Sequence, residues 1–203
     1  MKILLVSATK FEVNPLLKLV DDKSKFGKHS IDVLITGVGM TATAFYLGKN
    51  LNKKYDLAIN AGVAGSFKKN IPLGAIVNVV SDCFADLGAE DGNKFLTAKE
   101  IGLISDLVFR NKKIKSIPNV KAITVNTVHG NTSSIKKIVK NFNPDIETME
   151  GAAFFFACKS ESIPCIQIRA ISNYVERRNK KNWKIKLAIE NLNSFLVNYL
   201  QSL

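Results

Sequence analysis

Short apolar runs recur along the chain and alternate with segments of a different periodicity. Most of the runs are continuously apolar, which is typical of strands whose two faces are both covered. They predict strands at residues 2–6, 31–36, 56–61, 75–82, 122–126 and 165–171.

Between these runs, apolar residues return every three or four positions, which is the spacing of one helix face. They predict helices at residues 12–20, 40–51, 97–109, 133–141, 151–161 and 183–200. Strands that alternate with helices favour an α/β fold, with a largely parallel or mixed sheet between helices. No repeat or low-complexity linker divides the sequence, so we expect residues 1–203 to form a single domain.

Composition limits the class of protein. The chain has 203 residues, of which 46% are apolar and 23% charged, as is ordinary for a globular domain. No apolar run approaches the roughly 18–20 residues of a membrane span. The apolar start at residues 2–6 is too short for a signal peptide. We therefore expect a cytoplasmic protein that does not bind membranes.

Cysteine and histidine usage predicts no metal site. Cys83, Cys158 and Cys165 are unevenly spaced and lie in apolar runs, which predicts buried free thiols. The sequence contains only two histidines and no Cys/His cluster, so it offers no recognisable zinc ligand set.

The formal net charge is +12. Such a charge can reflect nucleic-acid binding or attraction of an anionic substrate. However, the basic residues are scattered, and their clusters at 112–115, 136–140 and 177–181 contain no aromatic residues. This pattern predicts a solvated basic surface and no nucleic-acid partner.

Polar and small residues collect where the predicted strands end. Glu12 follows the first strand at the start of a helix, where an acid also interacts favourably with the helix dipole. Residues 36–41 form a glycine-rich turn after the second strand. Residues 60–66, which include Ala64 and Gly65, form a small-residue turn after the third. Two such turns predict a shallow floor that a flat polar ligand can approach closely.

A second polar group lies later in the chain. Glu150 precedes the apolar stretch 151–158, while Arg169 and Asn173 lie at the end of the last predicted strand. An acid beside so apolar a segment is unfavourable to bury without a partner, so Glu150 is either a helix-cap acid or a ligand-binding group. The carboxyl ends of strands are where open α/β sheets bind ligands.

These elements, in this order and over nearly the whole chain, resemble the nucleoside phosphorylase/nucleosidase family. The matching segments are residues 8–12, 37–39, 60–65, 149–150 and 169–173. Residues 84–92, 125–130 and 172–176 also resemble the futalosine hydrolase group of that family, whose members remove hypoxanthine from futalosine in a route to menaquinone. The resemblance implies an α/β three-layer sandwich around a mixed sheet, a homo-oligomer (commonly a dimer) and no cofactor.

The resemblance also implies roles for individual residues. Glu12 is expected to hold and deprotonate the attacking water. Glu150 is expected to accept hydrogen bonds from the ribose hydroxyls, while Met149 packs against the sugar. Arg169 has three open interpretations: it reaches the region of Glu12, it orients Asn173, or it is a buried arginine paired with an acid.

Further residues are expected around the base and the far end of the substrate. Thr127 and Val128 match the segment that lies along the base in relatives, Val128 through its backbone, and His129 adjoins them. Phe84 is expected to cover the ribose or its remote substituent. Futalosine carries a benzoate at that end, and Lys10, His129 and the arginines at 177–178 are the open candidates for its partner.

The nature of the nucleophile follows from the first strand end. Phosphorylases of this family carry a turn like Gly-Asp-Pro-x-Arg there, which binds phosphate. This chain has Ala8, Thr9, Lys10, Phe11 and Glu12 instead. An acid at that position repels phosphate, so the sequence predicts hydrolysis, with Lys10 left open as a phosphate contact.

The identity of residue 173 indicates which purine base the site accepts. Adenine-releasing nucleosidases of the family end this motif in Ser-Asp, whereas this chain has Ser172 and Asn173. An amide has two N–H donors that suit O6 and N7 of a 6-oxopurine, while a carboxylate would face O6 with lone pairs. We therefore predict hydrolysis of a 6-oxopurine nucleoside, with futalosine as the substrate and Glu12, Asn173 and Arg169 in catalysis.

Three alternatives stay open. One is a methylthioadenosine/S-adenosylhomocysteine nucleosidase, another is a purine nucleoside phosphorylase, and the third is a nucleoside-binding protein without catalysis.

Overall fold

The computed structural model has a mixed sheet with helices on both sides, and it describes residues 1–20, 26–51, 55–106 and 108–203. In chain order the strands are β1 (Lys2–Ser7), β2 (Ser30–Ile35), β3 (Leu57–Ser66), β4 (Ile76–Cys83), β5 (Gly88–Asp91), β6 (Lys94–Thr97), β7 (Val108–Arg110), β8 (Asn119–Thr124), β9 (Ile146–Thr148) and β10 (Cys165–Tyr174). The helices are α1 (Lys10–Val20), α2 (Met40–Asn50), α3 (Thr132–Phe142), α4 (Gly151–Ser160) and α5 (Ile185–Gln201), with a 3-10 turn at Lys180–Asn182.

The main sheet follows the order β10-β4-β8-β9-β3-β1-β2, with β7 paired to β4, while β5 and β6 form a separate hairpin. Strand β10 also pairs with β3, so the central strands close into a ring. The pairs β1–β2, β1–β3 and β3–β10 are parallel, whereas β3–β9 and β4–β10 are antiparallel. The carboxyl ends of β1, β3 and β10 therefore meet at one edge of the sheet.

Two apolar cores cover the two faces of the sheet. One joins α1 and α5 to the strands through residues such as Leu16, Leu192 and Leu196. The other joins α2 and α4 through Leu47 and Phe154. The continuously apolar strands are thus buried on both sides, which is why they lack an alternating pattern.

The predicted α/β fold is confirmed, but one predicted helix is wrong. Residues 97–109 contain the end of β6, a turn and β7. Gly102 in that turn has φ +76°, which is outside the helical region, and Leu103 is 74% exposed, so the apolar residues share no buried face. Leu107, which falls within that prediction, lies outside the described residues.

The turn predicted at residues 60–66 is also wrong. β3 continues to Ser66 and stays paired with β10 as far as Tyr174. Ala64 and Gly65 therefore lie in a strand, because pairing with β10 supplies the hydrogen bonds that small residues alone do not specify. The glycine-rich turn at 36–41 is confirmed, since Gly37 and Gly39 have φ values of +84° and +96°.

Cys83, Cys158 and Cys165 are free thiols, of which Cys83 and Cys158 are buried and Cys165 is partly exposed. Within the described ranges, no helix has the length and apolar character required to cross a membrane.

Candidate active site

A cavity of about 370 Å³ opens at the edge where β1, β3 and β10 end. Its size is in the range of small-molecule sites. Of the candidate site residues named from the sequence, those in its wall are Glu12, Ala64, Gly65, Val128, His129, Met149, Glu150, Asn173 and Arg178. Chain folding thus brings segments that are far apart in sequence around one space.

Glu12 is buried in the first turn of α1 and is held by several donors. Its Oε2 accepts hydrogen bonds from the Thr9 amide (3.0 Å) and the Thr9 hydroxyl (2.9 Å), and its Oε1 accepts one from the Val63 amide (3.1 Å). The Glu12 amide lies 3.4 Å from the Thr9 hydroxyl, which completes a capping-box pattern. The carboxylate therefore caps the helix and also faces the cavity.

Glu150 is the residue preceding α4, yet its side chain makes no hydrogen bond to that helix. Its Oε1 instead accepts a hydrogen bond from the amide of Gly39 (3.1 Å), and its Oε2 lies 3.7 Å from Nη1 of Arg169. Burial raises the pKa of Glu150, and the nearby carboxylate of Glu12 adds to this, while Arg169 and the Gly39 amide oppose it. The side chain is thus directed to the cavity rather than to the helix end.

Arg169 is 1% exposed and does not reach the cavity wall. It donates from Nε to Gln167 Oε1 (3.0 Å) and from Nη2 to Asn60 Oδ1. A methyl group added to Gly62 would lie 2.5 Å from Arg169 Nη1 and 2.8 Å from Glu12 Oε1. The guanidinium therefore sits behind the cavity, beside both Glu12 and Glu150, and offsets their charges.

A buried polar network that the sequence analysis missed continues behind Arg169. Gln167 donates to Asp82 Oδ2 (3.0 Å), and the Thr124 hydroxyl donates to Asp82 Oδ1 (2.9 Å). Burial raises the pKa of Asp82 to about 6, against the lowering effects of these hydrogen bonds and of Arg169. The signal in the sequence is that Asp82 and Gln167 are polar residues within the largely apolar strands β4 and β10.

Asn173 lies in the cavity wall with its amide held at both ends. The Ser172 hydroxyl donates to Asn173 Oδ1 (2.8 Å), and Nδ2 donates to the Tyr174 carbonyl (3.1 Å). The pairing of β10 with β3 shifts register between Ile171 and Asn173. Such an irregularity changes the direction in which side chains point.

His129 lies in the wall and is paired with Glu147, a residue that the sequence analysis missed. The two Glu147 oxygens contact the His129 amide (3.0 Å) and the ring Nδ1 (2.7 Å). The side chains are only 14% and 3% exposed. The carboxylate therefore fixes both the backbone and the ring of His129.

Besides Arg169 and Arg177, three candidate residues lie away from the cavity wall. Phe84 packs edge to face on Phe109, with ring centroids 5.6 Å apart. Thr127 is exposed beside the wall residue Val128, and Lys10 is exposed on α1. His129, two residues after Thr127, does lie in the cavity wall.

The segment after β10 supplies further wall residues. They include Glu176 and Trp183, which the sequence analysis missed, and Arg178, whose guanidinium lies 5.1 Å from the centre of the Trp183 ring. Of the two arginines at 177–178, Arg178 is the one in the wall. Among the described residues, no group of three or more His, Cys, Asp or Glu could hold a metal ion.

Comparison with known proteins matches this chain to relatives of several kinds. A futalosine hydrolase from Streptomyces coelicolor is 29% identical over 173 residues, covering 78% of this chain and 73% of the relative. A 5'-methylthioadenosine/S-adenosylhomocysteine nucleosidase from Buchnera aphidicola is 28% identical over 193 residues, covering 86% of this chain and 76% of the relative.

The fold has close structural counterparts. The structure of a 5'-methylthioadenosine/S-adenosylhomocysteine nucleosidase from S. pneumoniae superposes with a TM-score of 0.82 at 19% identity, covering 99% of each chain. At the level of family, the model of the Phosphorylase superfamily matches residues 2–201. The chain therefore belongs to the phosphorylase superfamily.

Proposed function

We propose that this protein hydrolyses the N-glycosidic bond of a 6-oxopurine nucleoside, with futalosine as its substrate and hypoxanthine as the released base. The observation that carries the proposal is the pair of carboxylates, Glu12 and Glu150, which face one cavity with the buried Arg169 behind them. Asn173 lies in the same cavity wall.

Glycosidic cleavage passes through a sugar with oxocarbenium character, so it requires an activated water and a group that stabilises positive charge on the ring. Glu12 is buried, and its oxygens are held by Thr9 and Val63, so it can take the proton of a water in the cavity. Glu150 accepts the ribose hydroxyls and stabilises the developing positive charge. Met149, in the same wall, packs against the sugar.

Water rather than phosphate is the proposed nucleophile. Residues 8–12 place Glu12 in the cavity, and its carboxylate would repel a phosphate dianion at close range. The only cation of that segment, Lys10, is exposed and outside the cavity wall. These features favour hydrolysis over the phosphorolysis of inosine or guanosine.

Asn173 supports an oxopurine as the leaving base. Its amide N–H groups can donate to O6, a contact that a carboxylate cannot make. The similarity to a futalosine hydrolase over most of the chain agrees with this choice. The similarity to methylthioadenosine nucleosidases favours a second candidate substrate, methylthioadenosine, for which Asn173 is the mismatched residue.

The proposal also includes assembly into a homodimer or larger homo-oligomer in the cytoplasm. Phe11 and Val38 lie in the cavity wall and are 69% and 57% exposed, so apolar surface continues outward from the site. Large exposed apolar side chains at a cavity rim favour contact with another protein surface. Sedimentation velocity tests this, and a monomer at micromolar concentration would contradict it.

Substrate assays test the function directly. The purified protein is incubated with futalosine, inosine and methylthioadenosine, with and without phosphate, and the free base is measured by chromatography. We expect hypoxanthine from futalosine at a rate independent of phosphate. Adenine from methylthioadenosine with nothing from futalosine would sink the proposal, and turnover that requires phosphate would overturn hydrolysis. No turnover of any nucleoside would favour a binding protein.

A further inference from the structure

The contacts of Asn173 leave the departing purine without a proton donor. An amide is not an acid, and one of its two N–H groups is engaged by the Tyr174 carbonyl at 3.1 Å. In this conformation a single N–H remains for a ligand. Asn173 can therefore serve O6 of an oxopurine, but a different group must supply the proton that N7 needs.

His129 lies in the same cavity wall as Asn173 and can supply that proton. Its Nδ1 lies 2.7 Å from the buried carboxylate of Glu147, and its backbone amide is held by the other oxygen at 3.0 Å. In the described part of the chain, no hydrogen bond engages the opposite ring nitrogen, Nε2. A carboxylate that accepts Nδ1–H fixes the orientation of an imidazole ring, as in carboxylate–histidine pairs of other sites.

Glu147 and Asn173 lie against the same residue of β3. A methyl group on Gly65 would be 3.2 Å from Asn173 Nδ2 and 3.6 Å from Glu147 Cγ. The pair formed by Glu147 and His129 is therefore adjacent to the amide that reads the base. Val128, whose backbone is expected along the base, directly precedes His129 in the same wall.

We propose that His129, protonated and held by Glu147, is the general acid of this reaction. As the C1′–N9 bond breaks, its electron pair stays with the purine and the Nε2 proton of His129 passes to N7. The water oxygen bonds to C1′ and its proton passes to Glu12. The products are the free sugar and neutral hypoxanthine, and solvent later returns a proton to His129 and removes one from Glu12. This inference rests on the proposed function.

Two substrates, one whose leaving base needs a proton at N7 and one whose base does not, test the acid role of His129. Futalosine methylated on N7 carries a fixed positive charge, so its base leaves without protonation. For His129→Gln we expect kcat/KM with futalosine to fall by about 10²–10⁴-fold, the usual contribution of a general acid. With the methylated substrate we expect a loss of less than about tenfold. His29→Gln, which changes the other histidine on an edge loop, is the matched control and should behave like the wild type.

Two further measurements keep the test decisive. His129→Ala should regain futalosine turnover when imidazole is added, whereas an imidazole-independent rate would contradict the acid role. Glu147→Gln should also lose more kcat/KM on futalosine than on the methylated substrate, by a smaller factor than His129→Gln. This variant tests the same role if His129→Gln does not fold. If His129→Gln loses kcat/KM equally on futalosine and on the N7-methylated substrate, the acid role of His129 is overturned while the proposed hydrolysis stands. Failure of the wild type to release hypoxanthine from futalosine overturns the proposed function as well.

Discussion

Gly62→Ala tests whether the position of Arg169 beside Glu12 and Glu150 matters for activity. Gly62 is buried in β3, and its missing side chain leaves room for the guanidinium and for Glu12. The added methyl carbon would lie 2.5 Å from Arg169 Nη1 and 2.8 Å from Glu12 Oε1. Both groups are buried and hydrogen-bonded, so neither can swing freely into solvent.

The size of the effect follows from these distances. Ordinary van der Waals contact begins at 3.4 Å, so Nη1 must retreat from 2.5 Å to at least that separation. A displacement approaching 1 Å costs roughly 10²-fold in rate even when the displaced group does not itself touch the substrate. Overpacking of a buried site typically costs about 1–3 kcal/mol of unfolding free energy. We therefore expect a large loss of kcat together with a folded but destabilised protein.

Hypoxanthine release from futalosine and urea denaturation measure the two effects separately. Gly48→Ala is the matched control, because Gly48 lies on the exposed face of α2 and an added methyl there meets no heavy atom within 4 Å. That variant should keep full activity and gain roughly 0.5–1 kcal/mol, as expected for glycine in a helix. Wild-type kcat in Gly62→Ala would refute the reasoning that Arg169 and Glu12 work from their described positions.

Three other changes probe the site. Glu12→Gln should lower kcat by about 10²–10⁴-fold because the water loses its base; steady-state kinetics measure this, and an unchanged rate would remove Glu12 from catalysis. Asn173→Asp should shift the ratio of kcat/KM for 6-aminopurine over 6-oxopurine nucleosides upward by roughly 10–100-fold, which is the effect of one mismatched buried contact. Steady-state kinetics with both substrates measure the ratio, and an unchanged ratio would mean that Asn173 does not contact position 6 of the base. Because the pKa of Asp82 is raised from 3.8 to about 6, the folded protein retains a proton there that the unfolded chain has released, and this stabilisation is lost as the pH rises through 6. Relative to Asp82→Asn, the unfolding free energy of the wild type should therefore fall by about 2 kcal/mol between pH 4 and pH 7 in urea titrations. Parallel pH profiles of the two proteins would contradict this.

The sequence predicted much of the framework because burial leaves a local pattern. Strands covered on both faces are continuously apolar, and helices with one buried face repeat every three to four residues. Elements of this kind, such as β1 and α5, were therefore found with small errors at their ends. The pattern failed at residues 97–109, where apolar spacing resembled a helix although Leu103 faces solvent.

The candidate site was likewise only partly predictable from the sequence. The sequence by itself identified Glu12, Glu150 and Asn173, since each is a polar residue at the end of an apolar segment and matches a family motif. It could not identify the partners of these residues, because strand pairing decides them. The Gly39 amide that binds Glu150 is 111 positions away, and the Val63 amide that binds Glu12 is 51 away.

Only the tertiary structure decided which groups share the cavity. It separated Phe84 from the wall, drew in Arg178 and Trp183, and set Glu147 against His129. The physical reason is that regular burial of a strand or helix leaves a pattern in its own sequence, whereas hydrogen-bond partners depend on the register of strands that close into a ring. The sequence predicted several polar residues that line the cavity, and the sheet determined which of them lie together.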